Sequence, residues 1–322
     1  MKAMTRKGFG PPEKLELREV DRPEPEDDEV LVRVRAASLN RYDWYDLTGT
    51  PWVGRPMTGL RGPKSPLIGA DFAGTIETVG ADVTGLQPGD DVYGLRDGAL
   101  AEYVQARAGV ALKPANLSFE EAAAVPMAGL TALQGIRDKA ELQPGQHVLV
   151  NGASGGVGTF AVQIAKALGG HVTAVCSTRN VDQARSLGAD EVVDYTRDDF
   201  TRGGRRFDAI LDIAGSRSWS ELKRVLAPEG RVIIVGGKKG NRLLGPLGHM
   251  VSTKLAAIRG SQEAVFFMAR PNRADLDALR ELIEAGKVKP VVERRFDLEE
   301  LPEAFRVIGK GHTRGKLVIA IP

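Results

Sequence analysis

The sequence predicts an α/β chain of two domains: a β-rich, barrel-like domain and a doubly wound parallel sheet with helices on both faces. Three observations carry this expectation. The chain has 322 residues, more than one hydrophobic core usually serves. Its first 115 or so residues hold strand-like segments separated by dense Gly and Pro. From about Phe119 onward, short apolar runs alternate with helix-length segments.

In the first region, Val30–Ala36 follows the Pro- and acid-rich turn Arg22–Asp28 and is expected to form a strand, as is Ala73–Val79. The gaps at Pro51–Pro66 and Gln87–Asp90 hold the turn residues that punctuate an all-β unit. The second region opens with the Ala-rich stretch Glu120–Val125. Its apolar runs are His147–Val150, Val172–Cys176, Glu191–Val193, Ala209–Ile213 and Val232–Val235, with helices expected at Gly156–Leu168 and Ser218–Leu226. The tail predicts amphipathic helices at Arg273–Ala285 and Leu298–Ile308 and a last strand at Gly315–Ile321. Periodicity alone does not assign the tail to either domain.

Composition narrows the function classes. Lys plus Arg total 44 against 42 Asp plus Glu, so no strong overall field draws in nucleic acid or an anionic membrane, and small molecules are the expected partners. Hydrophobic residues make up 42%, enough for a sizeable core. Cys176, the only cysteine, has no internal disulfide partner. The N-terminus MKAMTRKGFG shows no apolar signal core, and no run approaches the roughly 18–20 apolar residues of a membrane span, so a cytoplasmic enzyme is expected.

The strongest motif is the run from Val148 to Ala161, in which a strand enters a glycine cluster that opens a helix. Gly152, Gly155 and Gly158 give Gly-x-x-Gly-x-x-Gly, and Gly156, Gly158 and Ala161 give the overlapping Gly-x-Gly-x-x-Ala. Small residues at these points permit a tight turn and close approach of backbone to a pyrophosphate, whose charge lies at a helix N-terminus. Gly152, Ala153, Ser154, Gly155, Gly156, Val157 and Gly158 are therefore candidate cofactor ligands. An NAD site usually places an acid about 20 residues beyond the glycines. Here Val172–Cys176 is followed by Ser177, Thr178, Arg179 and Asn180, with no acid; hydroxyls and a guanidinium suit a 2′-phosphate, so NADPH is the expected cofactor. Asp182, the nearest carboxylate, would weaken that expectation if it faced the ribose.

With these residues in view, the chain resembles the medium-chain dehydrogenase/reductase superfamily, in its zinc-free quinone oxidoreductase (zeta-crystallin-like) branch. The resemblance runs through Ala37–Asp43, Gly69–Gly74, Val79-Gly80, Pro88–Val92, Gly129–Ala132, the Gly-Ala-Ser-Gly-Gly-Val-Gly cluster and Gly311–Lys316. It implies a GroES-like catalytic domain, residues 1–120 completed by 267–322, around a Rossmann NADP-binding domain, residues 121–266, with the active-site cleft between them. It further implies that Asn40 and Tyr45 serve catalysis and that Thr131 approaches the nicotinamide. Tyr195 would join Arg179 near the adenosine phosphate, and Gly236 and Gly237 would offer backbone to the nicotinamide. Tyr42, Trp52 and Phe266 are candidate substrate-pocket residues, and a homodimer is the implied assembly.

The departures from zinc-dependent relatives matter equally. One cysteine cannot form their four-cysteine structural site; Asn40 stands where they carry their first catalytic cysteine, and Gly69-Ala70-Asp71 replaces their Gly-His-Glu. None of His147, His171, His249 and His312 has a metal-ligand partner at helical spacing. Without a metal, alcohol oxidation becomes hard, whereas quinones and conjugated enones are already electrophilic. The expected reaction is hydride delivery from NADPH to a quinone or an α,β-unsaturated carbonyl. Asn40 and Tyr45 or Tyr42 would steady the developing oxyanion, and solvent would supply the proton.

Other readings stay open at this point. Asn40 also suits a turn after a strand, Asp43 a structural hydrogen bond in a loop, and Tyr42, Trp44, Tyr45 and Trp52 simple loop packing. The segment 238–259 is basic and amphipathic; it fits a cover over the cofactor, or membrane contact. The fold is also compatible with an NADPH-binding regulatory or scaffold protein without turnover.

Overall fold

The structure is a computed structural model that describes residues 1–55, 59–107, 109–237, 248, 251, 253 and 262–322. The chain divides into two compact units. The first comprises Met1–Leu130, Arg270–Gly286 and Pro290–Pro322; the second comprises Thr131–Ala269 and Lys287–Lys289. The first boundary falls inside the helix Pro126–Leu133.

In the first unit, β1 (Lys2–Arg6) and β2 (Leu15–Glu19) form an antiparallel hairpin. The main sheet contains β3 (Val30–Leu39), β4 (Asp71–Val79), β5 (Asp91–Leu95), β6 (Tyr103–Ala106) and β7 (Val110–Leu112), together with β14 (Val292–Asp297) and β15 (Lys316–Ala320) from the tail. Its order is β14-β15-β3-β4-β5-β7, with β6 also paired to β3. The tail therefore completes the β unit by pairing β15 antiparallel to β3, Leu317 opposite Leu39. The helix Leu301–Lys310 buries Leu301, Ala304, Phe305 and Ile308, the i, i+3, i+4, i+7 stripe of an amphipathic helix. Packed with Leu39, Phe72, Phe296 and Leu317, these form one core in which each large side chain contributes roughly 1.5–3 kcal/mol.

The second unit holds a six-stranded parallel sheet: β8 (His147–Asn151), β9 (His171–Cys176), β10 (Glu191–Asp194), β11 (Phe207–Asp212), β12 (Leu226–Ile234) and β13 (Glu263–Phe266). Its order is β10-β9-β8-β11-β12-β13, so the direction of winding reverses beside β8. The first five strands match the expected apolar runs to within a few residues, except that β12 begins earlier, at Leu226; the four-residue edge strand β13 was not anticipated. Leu149, Val175, Ile210, Leu222, Val232 and Ile234 form the core against the sheet. Among the described residues, no helix is long and apolar enough to cross a membrane. Apart from residues 248, 251 and 253, the basic segment 238–259 lies outside the described residues.

Candidate functional site

The glycine cluster sits where the winding reverses, at the carboxyl end of β8, which is where open α/β sheets bind ligands. Gly152 has φ +95°, a left-handed conformation that a side chain would strain. The N–H groups of Gly152 and Ala153 donate to the Val175 carbonyl at 3.2 and 3.1 Å and fold the loop against β9. Gly155 precedes the 12-residue helix Gly156–Ala167. A Cβ on Gly158 would lie 2.1 Å from the Gly152 oxygen, so only glycine lets this helix start so close to the loop. The first amides of a helix have no acceptor within it, and its dipole favours an anion there. Ala153 is buried, while Ser154, Gly155, Gly156 and Val157 are half-buried. This cradle fits a dinucleotide pyrophosphate.

Across the reversal, Asn151 Nδ2 donates to Asp212 Oδ1 at 2.7 Å and to Ser216 Oγ at 3.2 Å, and the Gly215 N–H meets the same Asp212 oxygen at 3.0 Å. These bonds tie the tips of β8 and β11 together, a brace that lies 61 residues apart in sequence and was not foreseen. At Gly236, just past β12, a Cβ would lie 2.2 Å from the Ile213 oxygen, and Gly237 follows. Thr131 is half-buried and opens the second unit.

At the tip of β9, Ser177 is half-buried while Thr178 and Arg179 are exposed in the turn Thr178–Asn180. The Tyr195 N–H donates to the Cys176 carbonyl at 3.0 Å, which places exposed Tyr195 beside this turn. No acid immediately follows β9 in sequence, but one reaches this turn from the next strand. Asp194, at the end of β10, comes in from the neighbouring strand and accepts the Thr178 hydroxyl at 2.5 Å. Its other oxygen accepts the Thr196 hydroxyl at 2.7 Å and the Thr196 N–H at 3.0 Å. Thr178 therefore has no second proton to give a phosphate. Asp182 is 3.7 Å from Arg185 with a side chain 99% exposed.

In the first unit, Asn40 does not open a loop. It precedes an eight-residue helix, Arg41–Thr48, and this corrects the loop setting expected for Tyr42, Asp43, Trp44 and Tyr45. Tyr42 and Tyr45 stand three residues apart on that helix, so they share a face. The Tyr42 hydroxyl donates to Asp97 at 3.2 Å, and burial together with the carboxylates of Asp97, Asp46 and Asp43 pushes it well above the usual phenol range. The Arg41 guanidinium lies 5.4 Å from the Tyr45 ring centre. Trp52 is 47% exposed, with Arg55 5.4 Å from its ring centre. Phe266 ends β13 in the second unit, 37% exposed.

Beneath the helix start lies a buried polar cluster. Asn40 Nδ2 donates to Asp71 Oδ2 at 2.9 Å, Ser38 donates to the same oxygen at 3.1 Å, and the Met127 N–H meets Asp71 Oδ1 at 2.9 Å. The Lys316 ammonium donates to Asp71 Oδ2 at 3.1 Å and also to Asn40 Oδ1. Asp71 is fully buried, and Lys316 is 3% exposed. The Asp43 carboxylate accepts the Asn40 N–H at 2.6 Å. Burial raises the Asp43 carboxyl to about 8, with Asp71 adding to the shift and the Asn40 N–H and Lys316 opposing it. Sequence reasoning missed Lys316 as a site residue, although it closes the Gly311–Lys316 motif.

Comparisons with known proteins give the family and the fold. Residues 26–116 match the family model described as alcohol dehydrogenase GroES-like domain, and residues 187–319 match the one described as zinc-binding dehydrogenase. The chain is 36% identical to the mouse protein NAD(P)H oxidoreductase RTN4IP1, mitochondrial, over 91% of this chain and 82% of that one. It is 34% identical to Quinone-oxidoreductase QR1, chloroplastic, of Triphysaria versicolor, over 94% and 92% of the two chains. The solved quinone oxidoreductase of Coxiella burnetii superposes with a TM-score of 0.85 at 30% identity, covering 100% of this chain and 99% of that one.

Proposed function

Because the chain belongs to the medium-chain dehydrogenase/reductase superfamily, in its zinc-free quinone oxidoreductase branch, and is an NAD(P)H-dependent oxidoreductase, we propose that it prefers NADPH and reduces quinones or α,β-unsaturated carbonyl compounds without a metal. The observation that carries the metal-free reading is the Lys316 ammonium bonded to both Asn40 and Asp71. Those two residues stand where zinc-dependent relatives are expected to hold metal ligands, and here a fixed organic cation uses their oxygens. Cys176, the only thiol, is buried at the end of β9, and burial pushes it up to about 11, so it is no ready thiolate ligand. These donors do not fit a zinc site.

The glycine cradle and the helix start at Gly156 would hold the pyrophosphate, while Ser177, Arg179 and Tyr195 would face the adenosine ribose phosphate. Bound reduced nicotinamide supplies the hydride. The chain's own contribution is to position an electrophile that needs no Lewis acid. Asn40, one of whose amide N–H groups is uncommitted among the described residues, and the Tyr45 hydroxyl would steady the oxygen that gains charge, and solvent would supply the final proton.

The test follows NADPH absorbance with an ortho-quinone, a para-quinone and a linear enone, with and without a metal chelator, and with NADH as control. Acceptor-dependent loss that survives the chelator is expected. Binding of NADPH with no turnover on any acceptor would instead favour a regulatory protein of the same fold, and loss of turnover with chelator would refute the metal-free reading. Arg179→Ala should weaken NADPH far more than NADH.

A further inference from the structure

The adenosine end of the cradle carries a charge that opposes the cofactor assigned to it. We propose that Asp194 is a cofactor-specificity residue whose carboxylate, held at the tip of β10 by the hydroxyls of Thr178 and Thr196, opposes a 2′-phosphate and limits the preference for NADPH over NADH. The inference rests on the nucleotide site proposed above.

Three features support it. First, the register Asp194 opposite Cys176 puts the carboxylate level with the end of β9, two residues before the candidate phosphate-binding turn Thr178–Asn180. Second, its oxygens are held at 2.5 Å by Thr178 and at 2.7 and 3.0 Å by Thr196, so its position is fixed. Those bonds, the Thr178 hydroxyl foremost, keep its carboxyl below the usual range, so it stays ionised at neutral pH. Third, the Thr178 hydroxyl has one proton, and Asp194 takes it. The carboxylate therefore works against a phosphate twice, by its charge and by holding a donor that the phosphate would use. The nearby cation Arg197 lies 3.7 Å from Asp194 Oδ2 with a side chain 73% exposed, so it screens the acid only in part.

Asp194→Asn reverses both effects. The amide oxygen can still accept from Thr196, while an Nδ2 facing Thr178 becomes the donor and frees the threonine proton for the phosphate. For a separation of roughly 8 Å in a water-like dielectric, removing one charge opposite a phosphate carrying about −1.5 to −2 changes affinity about fivefold.

The experiment measures binding to the full-length protein by isothermal titration calorimetry, using NADPH, NADH, 2′,5′-ADP and 5′-AMP as probes. In Asp194→Asn, NADPH and 2′,5′-ADP should tighten about fivefold, while NADH and 5′-AMP stay within about twofold. The difference should shrink at 1 M salt, where screening reaches about 3 Å. An unchanged or weakened 2′,5′-ADP affinity, or equal changes in all four probes, would overturn the proposal. A failure of the underlying NADPH assignment shows separately: parent protein would bind 2′,5′-ADP no better than 5′-AMP, and Arg179→Ala would leave that ratio unmoved.

Discussion

Replacing Lys316 with Met removes its ammonium from the buried cluster around Asp71 while keeping most of the side-chain volume. Asp71 is fully buried and loses the ammonium at 3.1 Å, but it keeps three donors: Ser38 at 3.1 Å, Asn40 Nδ2 at 2.9 Å and the Met127 N–H at 2.9 Å. Removing one partner of a buried ion pair costs about 3–5 kcal/mol, because a charge is left without compensation. The three surviving donors put this case near the lower end, about 3 kcal/mol. The double variant Asp71→Asn/Lys316→Met removes both charges, and replacing a whole buried pair is often close to neutral. It should regain about 2 kcal/mol over Lys316→Met alone, a coupling that a double-mutant cycle isolates. Urea unfolding of parent, single and double variants gives these differences, and hydrogen exchange at the Met127 amide reports the cluster locally. A Lys316→Met loss below about 1 kcal/mol, or a double variant no more stable than that single one, would refute the ion-pair account.

The buried carboxyl of Asp43, raised to about 8, should make stability depend on pH. The unfolded chain releases this proton near pH 4 while the folded one holds it to about 8, so the folded state binds more protons across that window and stability falls as pH rises, by at most about 1.4 kcal/mol per unit. Asp43→Asn should flatten the stability profile between pH 5 and 8; a profile parallel to the parent would show that the carboxyl titrates normally. Gly158→Ala places a methyl 2.1 Å from the Gly152 oxygen, so nucleotide binding by calorimetry should fall at least tenfold. Retained affinity there would mean that the loop yields more easily than the geometry indicates. The Tyr93 hydroxyl donates to the buried Leu276 carbonyl at 2.6 Å, so Tyr93→Phe should cost about 1–3 kcal/mol in urea unfolding. No change would mean that the carbonyl finds another donor.

Sequence pattern revealed what is local and periodic. The strands β3 and β4, the five apolar runs of the parallel sheet and the Gly152–Gly158 loop each advertise themselves within about a dozen residues, through alternation, apolar runs or missing side chains. The helix Arg41–Thr48 did not, because Arg-Tyr-Asp-Trp-Tyr-Asp-Leu-Thr is short and mixes aromatic and acidic residues of poor helix propensity. Asp43 and Leu47, the buried pair four residues apart, carry its inward face. The edge strand β13 has only four residues, too few for a period. The cluster around Asp71 was invisible for a different reason: Lys316 lies 245 residues away, and only the pairing of β15 with β3 brings it to Asn40. Asp194 escaped notice because the search for an acid followed β9 alone, while the neighbouring strand supplied it.

Charge type settles how the Asn40 amide is oriented, since its oxygen faces an ammonium, which can only donate, and its nitrogen faces the carboxylate of Asp71, which accepts. Flipping the amide would set donor against donor and acceptor against acceptor within a buried cluster. The hydrogen-bonding polarity of the buried Asn40 amide is fixed as well: its oxygen accepts from the ammonium, and among the described residues its nitrogen commits one N–H to Asp71. A donor is the group that a carbonyl oxygen gaining electrons requires, and an acceptor in its place would repel it. On the proposed reaction, Lys316 and Asp71 would hold Asn40 in the polarity suited to reducing a conjugated carbonyl, without either needing to touch the substrate.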